Sequence, residues 1–64
     1  MKMRYDKEND VLYIQLSENS IAESDSERAG IILDFDDEEN IVGIEVLNAS
    51  KKMKYPFKVE YEVE

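Results

Sequence analysis

The stretch Ile31-Ile-Leu-Asp-Phe-Asp-Asp-Glu-Glu-Asn-Ile-Val-Gly-Ile-Glu-Val-Leu47 decides the fold. Ile31, Leu33 and Phe35 alternate with Ile32, Asp34 and Asp36, which is the period of a β-strand and not of a helix. Asp37 to Asn40 is a polar turn, and Ile41 to Leu47 returns as a second strand. An even loop places Phe35 opposite Val42, Leu33 opposite Ile44 and Ile31 opposite Val46, with Asp34 facing Gly43.

Working outward, the same construction occurs near the N-terminus. Met1, Met3 and Tyr5 alternate with Lys2, Arg4 and Asp6, Lys7 to Asp10 is a polar turn, and Leu12, Ile14 and Leu16 share one face of the next strand. The even loop sets Tyr5 opposite Leu12, Met3 opposite Ile14 and Met1 opposite Leu16. Shifted by thirty residues, Tyr5 to Leu16 overlays Phe35 to Val46 without a gap, with Asp6/Asp36, Glu8/Glu38 and Ile14/Ile44 identical. Two readings stand: an internal repeat of hairpins, or two acidic hairpins solving one problem in the same way.

Between the hairpins, Ser17 to Ser26 is polar and reads as a connection with a short extended piece around Ile21. Gly30 marks a bulge or close approach at the entry to the next strand. Asn48 is placed to cap one helical turn over residues 49–53, with Lys51, Lys52 and Lys54 suited to its C-terminal end. Tyr55-Pro56 ends that turn. Phe57, Val59, Tyr61 and Val63 then alternate with Lys58, Glu60, Glu62 and Glu64. Such a segment is expected as a fifth strand of the same sheet, as a strand added to a partner, or as a tail ordered on binding. The expected architecture is one domain over residues 1–64, mainly β with an α+β alternative. It is an antiparallel meander of four or five strands built from two hairpins, with 55–64 its C-terminal strand or partner-binding tail.

Composition narrows the chemistry. Sixty-four residues carry 16 acidic and 8 basic side chains, a formal charge of −8, and neither His nor Cys. That excludes thiol nucleophiles, disulfides, imidazole bases and soft-metal sites, and no cofactor is expected. The charge disfavours nucleic acid and anionic lipid and favours a basic protein partner. Apolar runs are too short to span a membrane and no signal peptide is evident, so a cytoplasmic location is expected. A domain this small buries only about 60% of its unfolded surface, and a homodimer would supply the missing burial.

Asp34-x-Asp36-x-Glu38-x-Asn40, with Glu45 at the twelfth place, imitates a calcium loop. Glu39 stands where the sharp turn needs glycine and the flanks are strands, so a solvated acidic hairpin is the stronger reading. A divalent-metal or small-ligand site on the 34–45 hairpin remains the lesser alternative. Asp34, Asp36 and Glu45 are the only candidate acid/base carboxylates, and no pocket is evident for them. The serines have no activating base, so the protein is read as a non-enzyme. Tyr5, Tyr13, Tyr55 and Tyr61 lack the basic groove that nucleic-acid stacking needs; rims and interfaces suit them better. The second sheet face carries Val11, Tyr13, Ile32, Ile41 and Leu47, more apolar than a solvated face requires. Tyr13, Phe57, Val59, Tyr61 and Val63 are the candidate interface.

Tyr5-Asp6, Asp10 to Leu16, Gly30 to Asp36 and Ile41 to Ser50 together resemble the domain of unknown function 2283 family, a group of short prokaryotic proteins. The likeness covers Met1 to Met53 and is most specific over Val42 to Ser50. Members more often have Asp-Gly or Gly-Arg in the second hairpin turn, where this chain has Glu39-Asn40. The resemblance implies no activity. It implies a small cytoplasmic protein, in some members encoded near small basic proteins similar to RelE-like toxins. The function expected is therefore a protein-interaction module, antitoxin-like in its sharpest form, with a structural homo-oligomeric subunit as the competing reading.

Overall fold

The computed structural model describes residues 1–64. Five strands are formed: β1 (Lys2–Asp6), β2 (Val11–Gln15), β3 (Glu23–Arg28), β4 (Ile31–Phe35) and β5 (Ile41–Leu47), followed by a helical turn, α1 (Ala49–Lys52). They make one antiparallel sheet in the order β1-β2-β5-β4-β3.

Both hairpins adopt the register that apolar matching dictates. Tyr5 faces Leu12 and Met3 faces Ile14 in the first, although the ladder ends at Lys2 and Gln15 and so stops short of Met1 and Leu16. In the second, Ile31 faces Val46, Leu33 faces Ile44 and Asp34 faces Gly43. Phe35, however, faces Ile41 and not Val42. Val42 is the extra residue of a β-bulge, and its side chain is buried.

The turns share one device. Asp6 Oδ1 accepts the backbone N–H groups of Glu8 and Asn9 at 3.0 and 3.1 Å. Asp36 Oδ1 does the same for Glu38 and Asn40 at 2.9 and 2.8 Å. A short carboxylate that replaces backbone acceptors is what makes Asp a turn former. These bonds favour the ionised form and hold both carboxyls below their usual value, the Asn9 side-chain bond leading at Asp6 and the Asn40 backbone bond at Asp36.

The hairpins join through β2 and β5, with Ile14 opposite Ile44 and Leu12 opposite Val46. Ile14 and Ile44 are equivalent under the thirty-residue shift. The Leu12–Val46 pair maps onto Val42 and Leu16, where Leu16 N donates to Val42 O at 2.7 Å. The two hairpins are thus related by a local two-fold through the Ile14–Ile44 pair.

The fifth strand is β3 and not the C-terminal segment. Glu23-Ser-Asp-Ser-Glu-Arg28 is exposed along its whole length, so it has no apolar face for periodicity to detect, and the backbone ladder to β4 holds it. Glu27 is bulged out. Gly30 closes the β3–β4 turn at φ 81°, and a side chain there would collide with Lys52 Nζ. Residues 57–64 form no strand, and no backbone hydrogen bond ties residues 54–64 to the sheet.

Asn48 is not a side-chain cap for α1. It takes a left-handed conformation with no capping bond from its side chain. Asp10, from the β1–β2 turn, performs that role. Its carbonyl accepts Ala49 N at 3.0 Å, Oδ1 accepts Ser50 N at 3.0 Å and Oδ2 accepts Ser50 Oγ at 2.7 Å. Tyr5 also donates to Asp10 Oδ1 at 2.6 Å. The Tyr5 phenol is pushed up to about 12, first by this bond and then by burial, and the Asp10 carboxyl is held low by the same bond and the two from Ser50.

The core is small. Leu12, Val46 and Ala49 form the buried cluster, with Met3, Tyr5, Ile14, Ile31, Ile44 and Phe57 packed around it. One face of the sheet is therefore covered, in part, by α1 and the segment that follows it. Tyr5, Tyr55 and Phe57 interlock there, with Phe57 edge-on to Tyr5 at 4.7 Å between ring centroids.

Candidate interaction surfaces

Strand parity distributes the candidate residues. The row Tyr5, Leu12, Val46, Ile31 lies on the covered face, and the row Arg4, Tyr13, Glu45, Ile32, Ser26 on the other. Phe57 packs on the covered face. Tyr13 therefore lies on the opposite side of the sheet from Phe57, and the structure does not bring them into one patch.

Tyr13 is enclosed by its neighbours. The Arg4 guanidinium lies 5.5 Å from its ring centroid, a cation–π distance. On the other side the ring covers Gly43, where a Cβ would come within 2.5 Å of the Tyr13 hydroxyl. Gly43 is required because a neighbouring ring occupies the space of its missing side chain.

Asp34, Asp36 and Glu45 do not form a triad. Asp36 is consumed by its turn and by Asn19 Nδ2 at 3.0 Å. Asp34 and Glu45 lie diagonally on one face, since Asp34 faces Gly43 and Glu45 faces Ile32. Asp34 is fully buried; its Oδ1 accepts Ser24 Oγ at 2.5 Å and its Oδ2 has no hydrogen-bond partner. The Glu45 carboxyl is pushed up, first by its hydrogen bond with Asp34, then by burial, then by the Asp34 charge. Ser24 escaped sequence reasoning because it lies in β3, the strand without a periodic signal.

No group of three or more acidic side chains is placed to hold a metal ion. The carboxylates that imitate a calcium loop point into separate turn and ladder networks. No helix is long and apolar enough to cross a membrane.

Three open strand-like elements remain. The first is the outer edge of β3, which pairs only with β4 and carries Glu23, Asp25 and Glu27. The acidic turn of Asp37, Glu38 and Glu39 adjoins its start, because Glu23 faces Phe35. The second is the segment after Phe57, whose Val59, Tyr61 and Val63 are 63%, 84% and 76% exposed. Its alternation is that of a strand with no sheet to join. Across the sheet from β3, β1 is the other unpaired edge.

The family model described as "Protein of unknown function (DUF2283)" matches residues 2–50. Residues 51–64 lie beyond that span. No curated protein and no solved structure matches the chain.

Proposed function

The chain belongs to the DUF2283 family, and from that premise we propose that it is a non-catalytic interaction module that binds a small basic protein by strand addition at β3, in the manner of an antitoxin. The observation that carries this reading is the β3 edge, six exposed residues long and acidic at Glu23, Asp25 and Glu27. An unpaired edge offers a row of backbone donors and acceptors to an extended partner segment. Its carboxylates, within a net charge of −8, select a basic one and speed the encounter. The reading places the protein in the cytoplasm with that partner.

The experiment is native mass spectrometry of the protein isolated from its own host at low ionic strength, where exposed charge pairs are least screened. A complex with a small basic protein is expected, lost in the Glu23→Lys/Asp25→Lys/Glu27→Lys variant, whose changes all lie on exposed positions. Recovery only as copies of the same chain would overturn the proposal and leave the homo-oligomeric reading in its place.

A further inference from the structure

The two elements left over, the β1 edge and the alternating segment after Phe57, are complementary to one another. On β1, Met3 and Tyr5 point to the covered face, while Lys2, Arg4 and Asp6 point to the other and are exposed. In the C-terminal segment Val59, Tyr61 and Val63 alternate with Lys58, Glu60 and Glu62. One antiparallel register sets Met1 opposite Val63, Met3 opposite Tyr61 and Tyr5 opposite Val59. The same register sets Lys2 opposite Glu62, Arg4 opposite Glu60 and Asp6 opposite Lys58. Every pair is apolar with apolar or positive with negative.

Neighbouring registers fail this test. Moving the antiparallel pairing by two residues one way puts Arg4 against Lys58, and the other way puts Asp6 against Glu60. Parallel pairings that keep the apolar residues on one face and lay all of Lys2 to Asp6 along residues 58–64 set Asp6 against a glutamate. Opposite charges directly across a ladder stabilise it and like charges oppose it. Charges on an edge strand ordinarily keep it unpaired; here each has its complement in the same chain.

The segment is not paired with β1 of its own molecule. Phe57 packs against the Leu12–Val46–Ala49 cluster and edge-on to Tyr5, over the covered face of the sheet. The register above would carry Phe57 past Tyr5 to lie beside Lys7, in the plane of the sheet, and would strip it from that cluster. Within one chain the segment makes no backbone hydrogen bond to β1. A second copy meets no such conflict, because Phe57 stays on its own sheet and the residues after it reach across.

We propose that two copies of this chain form a reciprocal dimer in which residues 58–63 of each add as an antiparallel strand to β1 of the other, in the register that pairs Arg4 with Glu60 and Met3 with Tyr61. The arrangement is self-complementary, as a two-fold interface must be. It covers the three exposed apolar side chains of the segment and extends the half-covered sheet face. It is independent of partner binding at β3, on the opposite edge.

A charge-swap mixing experiment tests it. Sedimentation of the wild-type protein at low ionic strength is expected to give twice the 7.5 kDa chain mass, weakening in about 1 M salt, where the Debye length falls to about 3 Å. Lys2→Glu/Arg4→Glu and Glu60→Lys/Glu62→Lys should each be monomeric alone, since each sets like charges in both of its ladders. Mixed, they should recover the dimer, since both ladders of the mixed pair are complementary. A monomeric wild type, dimers that survive both reversals, or a mixture that stays monomeric would each overturn the proposal, the last pointing to pairing within one chain. A second readout needs no charge reversal. The chain has no cysteine, so mixing Met3→Cys with Tyr61→Cys should yield a disulfide-linked pair, and its absence under oxidation would count against the register. The Glu23→Lys/Asp25→Lys/Glu27→Lys variant should still dimerise, which separates failure here from failure of the partner-binding proposal.

Discussion

The two hairpins share a backbone plan and differ at a few equivalent side chains. Asp6 and Asp36 organise their turns in the same way, and Ile14 meets Ile44 at the centre of the local two-fold. The equivalents of Asp10, Tyr13 and Gln15 are Asn40, Gly43 and Glu45. Asp10 reaches across the fold to cap α1, whereas Asn40 bonds back to Asp36 within its own turn. Tyr13 lies on Gly43, its own counterpart, so a symmetric pair of rings could not occupy that site. Backbone pairing tolerates repetition because hydrogen-bond ladders are alike along a sheet, but side chains that meet across the two-fold must differ in size.

The largest effect is expected at Leu12, which the first hairpin contributes to the buried cluster. Leu12→Ala removes the largest member of the buried cluster and should cost about 2–5 kcal/mol. A domain of this size has roughly 3–5 kcal/mol to lose, so urea unfolding should find the variant largely unfolded before denaturant is added. A cooperative transition near the wild-type midpoint would show that the core lies elsewhere.

Making the second hairpin more like the first should come next. Gly43→Ala places a Cβ 2.5 Å from the Tyr13 hydroxyl and 2.9 Å from the ring carbon that bears it. Displacing the ring should cost about 1–3 kcal/mol, the usual range for overpacking. Adding Tyr13→Ala should recover part of that loss in a double-mutant cycle; strictly additive losses would mean that the two residues do not meet.

The smallest effect is expected at the Gln15/Glu45 position. Glu45 binds its proton more tightly folded than unfolded, because the adjoining Asp34 carboxyl, burial and the Asp34 charge all favour its neutral form. Its contribution is therefore full below its ordinary value of 4.5 and is lost as pH rises through the folded value. Glu45→Gln keeps an amide donor for Asp34 and cannot ionise. It should match the wild type in acid and melt higher at neutral pH. An unchanged pH profile would remove Glu45 from the account.

Much of this architecture is legible in the sequence because apolar alternation and charge select one register. Tyr5 with Leu12, Met3 with Ile14, and Leu33 with Ile44 follow from matching alone. The Val42 bulge does not, since an added residue leaves the pattern on either side intact. Strand β3 has no apolar face, so nothing in its own residues distinguishes it from a loop. Phe57 to Val63 is the converse case, for its alternation is complete and yet it pairs with nothing in its own chain. Periodicity specifies a face, while a strand also needs an edge to join.

Two acidic hairpins, their inner registers, the polar turns between their strands and membership of a family were legible in the residues alone. Only the tertiary structure decided that the hairpins join through β2 and β5, that Asp10 caps a helix forty residues away, and that Asp34 and Glu45 meet while Asp36 does not. The physical reason is range. Alternation and turn chemistry act over a few residues and are written locally, whereas a cap, a pair of neighbouring carboxyls or a ring over a glycine depends on which distant strands become neighbours.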